Sequence, residues 1–210
     1  MEIDIKKVKL VIWDWYRTLS NRHLYENLQQ SNPGAYDLIQ KYFLDDKSRL
    51  DAWLRGEMSY DEIHRNFSRL TGLSKATFDN CLSILATKFD VDEKITPFIR
   101  KFGLLGTRQI ICTDNYDIWD EFLLPQYSKF LSNYLSTAYN SGRFRILTSE
   151  GQLDFLLTVV SQEHVAVEHV LLIDDNSTLS REFVSRGAQS INHSSVNDLA
   201  VKLSAVFSKE

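Results

Sequence analysis

Proline is rare in this chain, 3 in 210 residues, and cysteine is rarer still, with only Cys81 and Cys112. So little proline, with 43% hydrophobic and 25% charged residues, excludes a disordered or fibrous chain and predicts a compact domain. Cys112 lies within the apolar run Gln109-Ile110-Ile111-Cys112, which predicts buried thiols rather than a disulfide and fits a reducing, cytoplasmic setting. No stretch approaches the about 18 consecutive apolar residues of a membrane span, and charge begins at Glu2, so neither an anchor nor a cleavable signal is read. Clustered basic residues are missing too. With a net charge of −4 the chain has no electrostatic footprint for a nucleic acid. A glycine-rich phosphate loop, a Gly-x-Gly-x-x-Gly turn and a serine nucleophile elbow are all absent, which disfavours nucleotide-dependent kinases, dehydrogenases and serine hydrolases.

What is present is a set of short, nearly continuous apolar runs at residues 8–13, 109–112 and 170–173, the pattern of strands buried on both faces. Weaker strands are expected at 134–139 and 188–192. Helical patterns separate them at 117–124, 151–161, 178–186 and 196–207, the last capped by Ser194 or Ser195. This alternation predicts an α/β fold with a doubly wound, parallel, Rossmann-like sheet. Residues 20–90 break it: 24–28, 35–43, 50–54, 60–70 and 75–87 read as helices, and Ser59-Tyr60-Asp61-Glu62 is a capping box. The expected organisation is a core of residues 1–19 and 91–210 with a helical module, 20–90, inserted after the first strand.

In an open parallel sheet, ligands bind beyond the carboxyl ends of the strands. The polar residues there are Asp14, Tyr16 and Thr18, then Thr113, Asp114 and Asn115, then Asp174, Asp175 and Asn176. Converging carboxylates repel one another unless a cation lies between them, and Mg²⁺ is held by one or two carboxylates with waters and substrate phosphate oxygens. For any one of these residues alone a helix cap or turn is the ordinary role.

The run Val11-Ile12-Trp13-Asp14-Trp15-Tyr16-Arg17-Thr18-Leu19 resembles the first motif of the haloacid dehalogenase (HAD) superfamily, Asp-x-Asp-x-Thr after an apolar strand. Thr113 and Asp174-Asp175 fall where its second and fourth motifs would be, and Arg145, with Arg143 as competitor, is offered for the third. Arg55-Gly56-Glu57-Met58-Ser59 and the helices around it look like the superfamily's inserted cap. The resemblance implies a phosphatase in which Asp14 attacks phosphorus, while Asp14, the Tyr16 carbonyl and Asp174 hold Mg²⁺ and Asp175 supports the metal shell. It further implies that Thr113 and Arg145 stabilise the transferring phosphoryl group and that Thr18 steadies the nucleophile loop, with Asp114 and Asn115 also lining the substrate site.

One position departs from the pattern. Phosphatases of this superfamily carry a second aspartate two residues after the nucleophile as general acid and base; here it is Tyr16. A phenol of pKa about 10 is a poor base near neutrality, so alkyl esters suffer most and aryl phosphates least. The implied substrates are phosphorylated small molecules or phosphotyrosine proteins, the latter being substrates of superfamily members that include secreted bacterial effectors. Haloacid dehalogenases also carry tyrosine at this position, and a silent binding module with Tyr16 and Arg17 marking a decayed site is the reading from another class. The histidines are scattered, and only His23 lies near the nucleophile loop.

Overall fold

The computed structural model describes residues 3–88, 91–115, 117–125, 133–148 and 153–208. Five strands, β1 (Leu10–Trp13), β2 (Arg108–Thr113), β3 (Thr137–Asn140), β4 (Val170–Asp174) and β5 (Gln189–Asn192), form one sheet. Their order is β3-β2-β1-β4-β5 and every pairing is parallel. The expected doubly wound α/β sheet is therefore present. The chain winds from β1 outward through β2 to β3 and then crosses over to β4 on the other side of β1, so the crevice where ligands bind such sheets opens at the carboxyl ends of β1 and its neighbours.

Strand periodicity explains why these runs are apolar throughout. Val11, Trp13, Ile111, Leu171 and Ile173 point to one face, under α6 (Thr96–Leu104) and α10 (Val196–Phe207), where Phe102, Leu199 and Leu203 cover them. Leu10, Ile12, Ile110, Cys112 and Leu172 point to the other, under α8 (Asp154–Gln162) and α9 (Ser177–Ser185). Gln109, a polar residue inside the second run, is buried but satisfied: it accepts from Trp13 Nε1 at 3.1 Å and donates to the Ile99 carbonyl at 2.9 Å. Both cysteines are buried and free.

Between β1 and β2 the chain forms α1 (Glu26–Ser31), α2 (Pro33–Ile39), α3 (Lys47–Leu54), α4 (Tyr60–Thr71) and α5 (Lys75–Lys88) before α6. The Ser59 hydroxyl caps α4 by accepting from Glu62 N at 3.3 Å, and Ser195 caps α10 in the same way. These helices surround their own aromatic core of Tyr25, Phe43, Trp53, Phe67 and Phe78.

Several boundaries differ from the sequence expectation. The third strand runs from Thr137 rather than 134, and the 117–124 helix contains a π-helical turn at Trp119–Leu123. The helix expected from residue 151 is seen from Asp154; its first two residues lie outside the described residues. Helix α6 was not anticipated, although Phe98, Ile99 and Phe102 at helical spacing after Pro97 carry its signal.

Candidate active site

Asp14 follows β1 directly, and its backbone N–H bonds to the Ile173 carbonyl of β4 at 3.0 Å, so the strand pairing runs one residue beyond the named strand. Asp174 ends β4 and Asp175 follows it. Ladder geometry therefore sets the three carboxylates side by side, with ligand oxygens all within 4.8 Å of one another. Burial raises the Asp14 carboxyl well above its ordinary value, and the charge of Asp174, with those of Asp175 and Asp114, raises it further against a Trp15 N–H that lowers it. Asp174 is pushed up to about 7, again by burial first, with Asp175 and Asp114 adding repulsion. An all-oxygen set of carboxylates that repel one another matches the donor preference of Mg²⁺. The Tyr16 carbonyl, expected beside them, accepts no backbone N–H among the described residues.

The loop after Asp14 turns tightly because the Trp15 carbonyl takes the N–H groups of Leu19 and Ser20 at 2.9 and 3.0 Å. Arg17 occupies the left-handed region at φ 64° within this turn, and its guanidinium pairs with Asp175 at 3.4 Å. Arg17 thereby sets a cation beside the acidic cluster. Thr18 is completely buried, and its hydroxyl donates to Asp14 Oδ2 at 3.3 Å.

Other strand-end residues take diverse positions. Thr113 ends β2 and is buried opposite Asn140 of β3. Asp114 accepts from the Thr148 N–H at 2.8 Å and its hydroxyl at 2.7 Å, tying the loop after β3 to β2. Asn176 is a helix cap, accepting from Thr178 N and Leu179 N at the start of α9. Arg145 lies exposed at the end of α7 (Ser141–Phe144) with a left-handed backbone, φ 56°, and makes no ion pair with Asp14 among the described residues. Its competitor Arg143 pairs with Asp120 at 2.6 Å. The structure thus assembles Asp14, Thr18, Asp174 and Asp175 and leaves both arginines outside that group.

A cavity of about 510 Å³ opens between these strand ends and the helices of the insertion. Trp15, Tyr16, Tyr36, Leu24, Leu50, Leu54 and Leu123 give it an apolar and aromatic lining, with Arg22, His23, Gln40, Asp114 and Asn115 as its polar members. Arg22 is engaged by Glu26 at 3.1 Å. The Tyr16 hydroxyl meets His23 Nδ1 at 2.7 Å, and burial raises the Tyr16 pKa. Insertion and sheet meet at Asp117, which accepts from Trp53 Nε1 at 3.2 Å and Tyr60 N at 2.8 Å, and at Ser141, whose hydroxyl donates to the Leu54 carbonyl at 3.0 Å. Gly56, at φ 70°, is required there, since a Cβ would sit 2.7 Å from the Gly142 carbonyl oxygen.

Sequence reasoning missed two participants. His193, just beyond β5, is buried with Nε2 3.0 Å from the Thr18 hydroxyl, although 175 residues separate them. Asp117 had been read only as the start of a helix. Neither stands in a motif that sequence spacing could reveal.

No protein-family model matches the chain, and no curated protein matches it in sequence. Solved structures do. A HAD-like family hydrolase of Porphyromonas gingivalis superposes with a TM-score of 0.71 at 14% identity, covering 97% of this chain and 99% of that one. A HAD family enzyme of Bacteroides thetaiotaomicron, in complex with magnesium and inorganic phosphate, gives 0.67 at 14% identity over 90% and 95%. The fold is that of the HAD-like hydrolases. Within the HAD-like structures, L-2-haloacid dehalogenase of Xanthobacter autotrophicus with covalently bound chloropropionic acid gives 0.62 at 14% identity over 94% and 83%. The HAD-like fold is thus shared with enzymes crystallised with phosphate and with a dehalogenase, and the chemistry has to be argued from this chain's own residues.

Proposed function

We propose that the protein is a magnesium-dependent phosphatase that works through an aspartyl phosphate on Asp14 and prefers aryl phosphates, with phosphotyrosine among them. The observation that carries this reading is the cluster of Asp14, Asp174 and Asp175 at two adjacent strand ends. Bound there, Mg²⁺ would supply positive charge that allows these carboxylates to be ionised together and attracts phosphate oxygens; Asp14, Asp174, Asp175 and the Tyr16 carbonyl would hold it.

In this scheme an Asp14 oxygen forms a bond to phosphorus as the ester P–O bond breaks and the leaving oxygen takes the electron pair, departing as the phenolate from an aryl ester. Water then attacks the phosphorus, releasing phosphate and restoring the carboxylate. Thr18 holds Asp14 Oδ2, and Thr113 donates to the phosphoryl oxygens from the end of β2. Tyr16 stands where a carboxylic acid would protonate the leaving group; its raised pKa makes it a weak acid, which favours leaving groups that depart with little help. A phenolate is such a group, and the aromatic and aliphatic lining of the cavity suits an aryl ring. Arg17 restrains Asp175. Arg145 receives no role in this scheme.

Tyr16 favours a second reading, a 2-haloacid dehalogenase in which Asp14 attacks carbon. A buried Asp174 and a half-buried Asp175 beside the nucleophile oppose it, because carbon attack needs no cation and their repulsion with Asp14 would be offset little by the exposed Arg17 pair. Release of phosphate from an aryl phosphate and from phosphotyrosine peptides, with and without Mg²⁺, decides between them when chloride release from 2-haloacids is followed in parallel. Magnesium-dependent phosphate release that disappears in Asp14→Asn is the expected result. Chloride release alone would replace it with the dehalogenase, and silence on every substrate would make the chain a binding module.

A further inference from the structure

We propose that His193 is a positioning residue for the nucleophile, acting through the Thr18 hydroxyl; this rests on the reading of Asp14 as nucleophile. The argument is one of hydrogen counting. A threonine hydroxyl has a single hydrogen, and an ionised carboxylate can only accept. Thr18 lies 3.3 Å from Asp14 Oδ2, so with Asp14 ionised for attack its hydrogen is committed to that oxygen. The 3.0 Å contact between the same hydroxyl and His193 Nε2 then requires the imidazole to donate.

That fixes the tautomer. A neutral ring carries one hydrogen, here on Nε2, which leaves Nδ1 bare, and Nδ1 is buried without a hydrogen-bond partner among the described residues. Burial favours the neutral ring and Lys202 reinforces that effect, against Asp175, Asp198 and the Ser195 backbone. His193 and Thr18 are respectively 2% and 0% exposed, so water does not compete for either bond. The chain from His193 through Thr18 to Asp14 runs in one direction, and such bonds polarise and strengthen one another. Its effect is to pin one carboxylate oxygen and so fix rotation of the nucleophile. His193 is tied to the edge of the sheet, because β5 ends at Asn192, whose Nδ2 donates to the Asp174 carbonyl at 3.0 Å. The histidine thus registers the nucleophile loop against the far strand.

The test is a double-mutant cycle on the full chain with Mg²⁺ and an aryl phosphate, using His193→Leu, His193→Gln, Thr18→Val and the Thr18→Val/His193→Leu pair. Losing a supporting hydrogen bond of this kind lowers kcat by about 10–100-fold, and KM should stay near its original value. The glutamine amide can donate to Thr18 and should recover most of the loss. Thr18→Val should reproduce the effect of His193→Leu, and the double variant should be no worse than either. Unchanged kcat in His193→Leu, or losses that multiply in the double variant, would overturn the proposal.

Nitrogen NMR of the imidazole, recorded with Mg²⁺ present so that Asp14 is ionised, gives a readout independent of turnover. The expected signal is a neutral ring protonated at Nε2, with that proton exchanging faster in Thr18→Val; a proton on Nδ1 would overturn the chain. Wild-type protein that releases no phosphate would instead sink the phosphatase reading, while the tautomer would still decide whether the hydrogen-bonded chain exists.

Discussion

The sheet's carboxyl edge and the helical insertion solve opposite electrostatic problems with similar residues. At the edge, Asp14, Asp174 and Asp175 are crowded, the first two carboxyls are pushed upward by burial and mutual repulsion, and among the described residues Arg17 is the cation paired with the group. In the insertion, His64 is equally enclosed but satisfied on both nitrogens, by the Tyr25 hydroxyl at 2.9 Å and Asp79 at 2.7 Å, while Lys75 bonds Asp79 and pairs with Asp61. One arrangement is complete in itself and the other leaves like charges side by side. Buried polar groups with all partners present stabilise a fold, whereas uncompensated ones mark a place where something binds.

The largest expected break in that contrast comes from Asp14→Asn. Turnover should fall by roughly 10⁴-fold or more, as removal of a nucleophile does, while thermal unfolding of the metal-free protein should shift upward because an amide relieves the repulsion. Addition of Mg²⁺ should raise the melting temperature of the wild type and much less that of the variant. In the insertion the corresponding break is Phe67→Ala, which empties the centre of the aromatic core and should cost about 3–5 kcal/mol. Hydrogen exchange should show α4 and α5 losing protection before the sheet does.

A smaller effect sharpens the comparison at the site itself. Tyr16→Asp restores a carboxyl where the leaving group departs and should raise the rate on alkyl phosphates by about 10²-fold, with less gain on aryl phosphates; equal gains on both would show that leaving-group protonation is not the limit. At the junction of the two regions, Asp117→Ala strands the Trp53 and Tyr60 donors and should cost about 1–3 kcal/mol in chemical denaturation. The mildest break is acidification. Burial lowers the His64 pKa below its ordinary 6.5 against the opposing pull of Asp79. Because the unfolded chain then binds the proton more readily, stability from the neutral ring is full above that ordinary value and is lost as pH falls through the folded one. Protection factors in α4, corrected for intrinsic exchange, should therefore fall between neutral and mildly acidic pH, and His64→Gln should remove that dependence.

Much of this was legible residue by residue. Apolar runs ending in Asp14, Thr113 and Asp174 announced strands buried on both faces, because a sheet covered by helices demands apolar side chains at every position. The Ser59 box marked the start of α4 because a cap is a local hydrogen bond. The strand at 137–140 was harder to place: its burial alternates and its run is short, so periodicity gave its existence and not its edges. Arg145 and Arg143 stand for the third motif by resemblance, and side-chain direction at the end of a four-residue helix is not encoded in a motif.

By itself, then, the sequence determined the parallel α/β order, the run of helices between β1 and β2 and the acidic strand ends, since each follows from a local pattern. The tertiary structure decided which groups meet. Pairing of β1 with β4 brings Asp14 to Asp174, the left-handed turn at Arg17 sends its guanidinium to Asp175, and the end of β5 delivers His193 to Thr18 across 175 residues of chain. Contacts between residues so far apart depend on the register of strands and the packing of helices, and neither is a property of any local stretch of sequence.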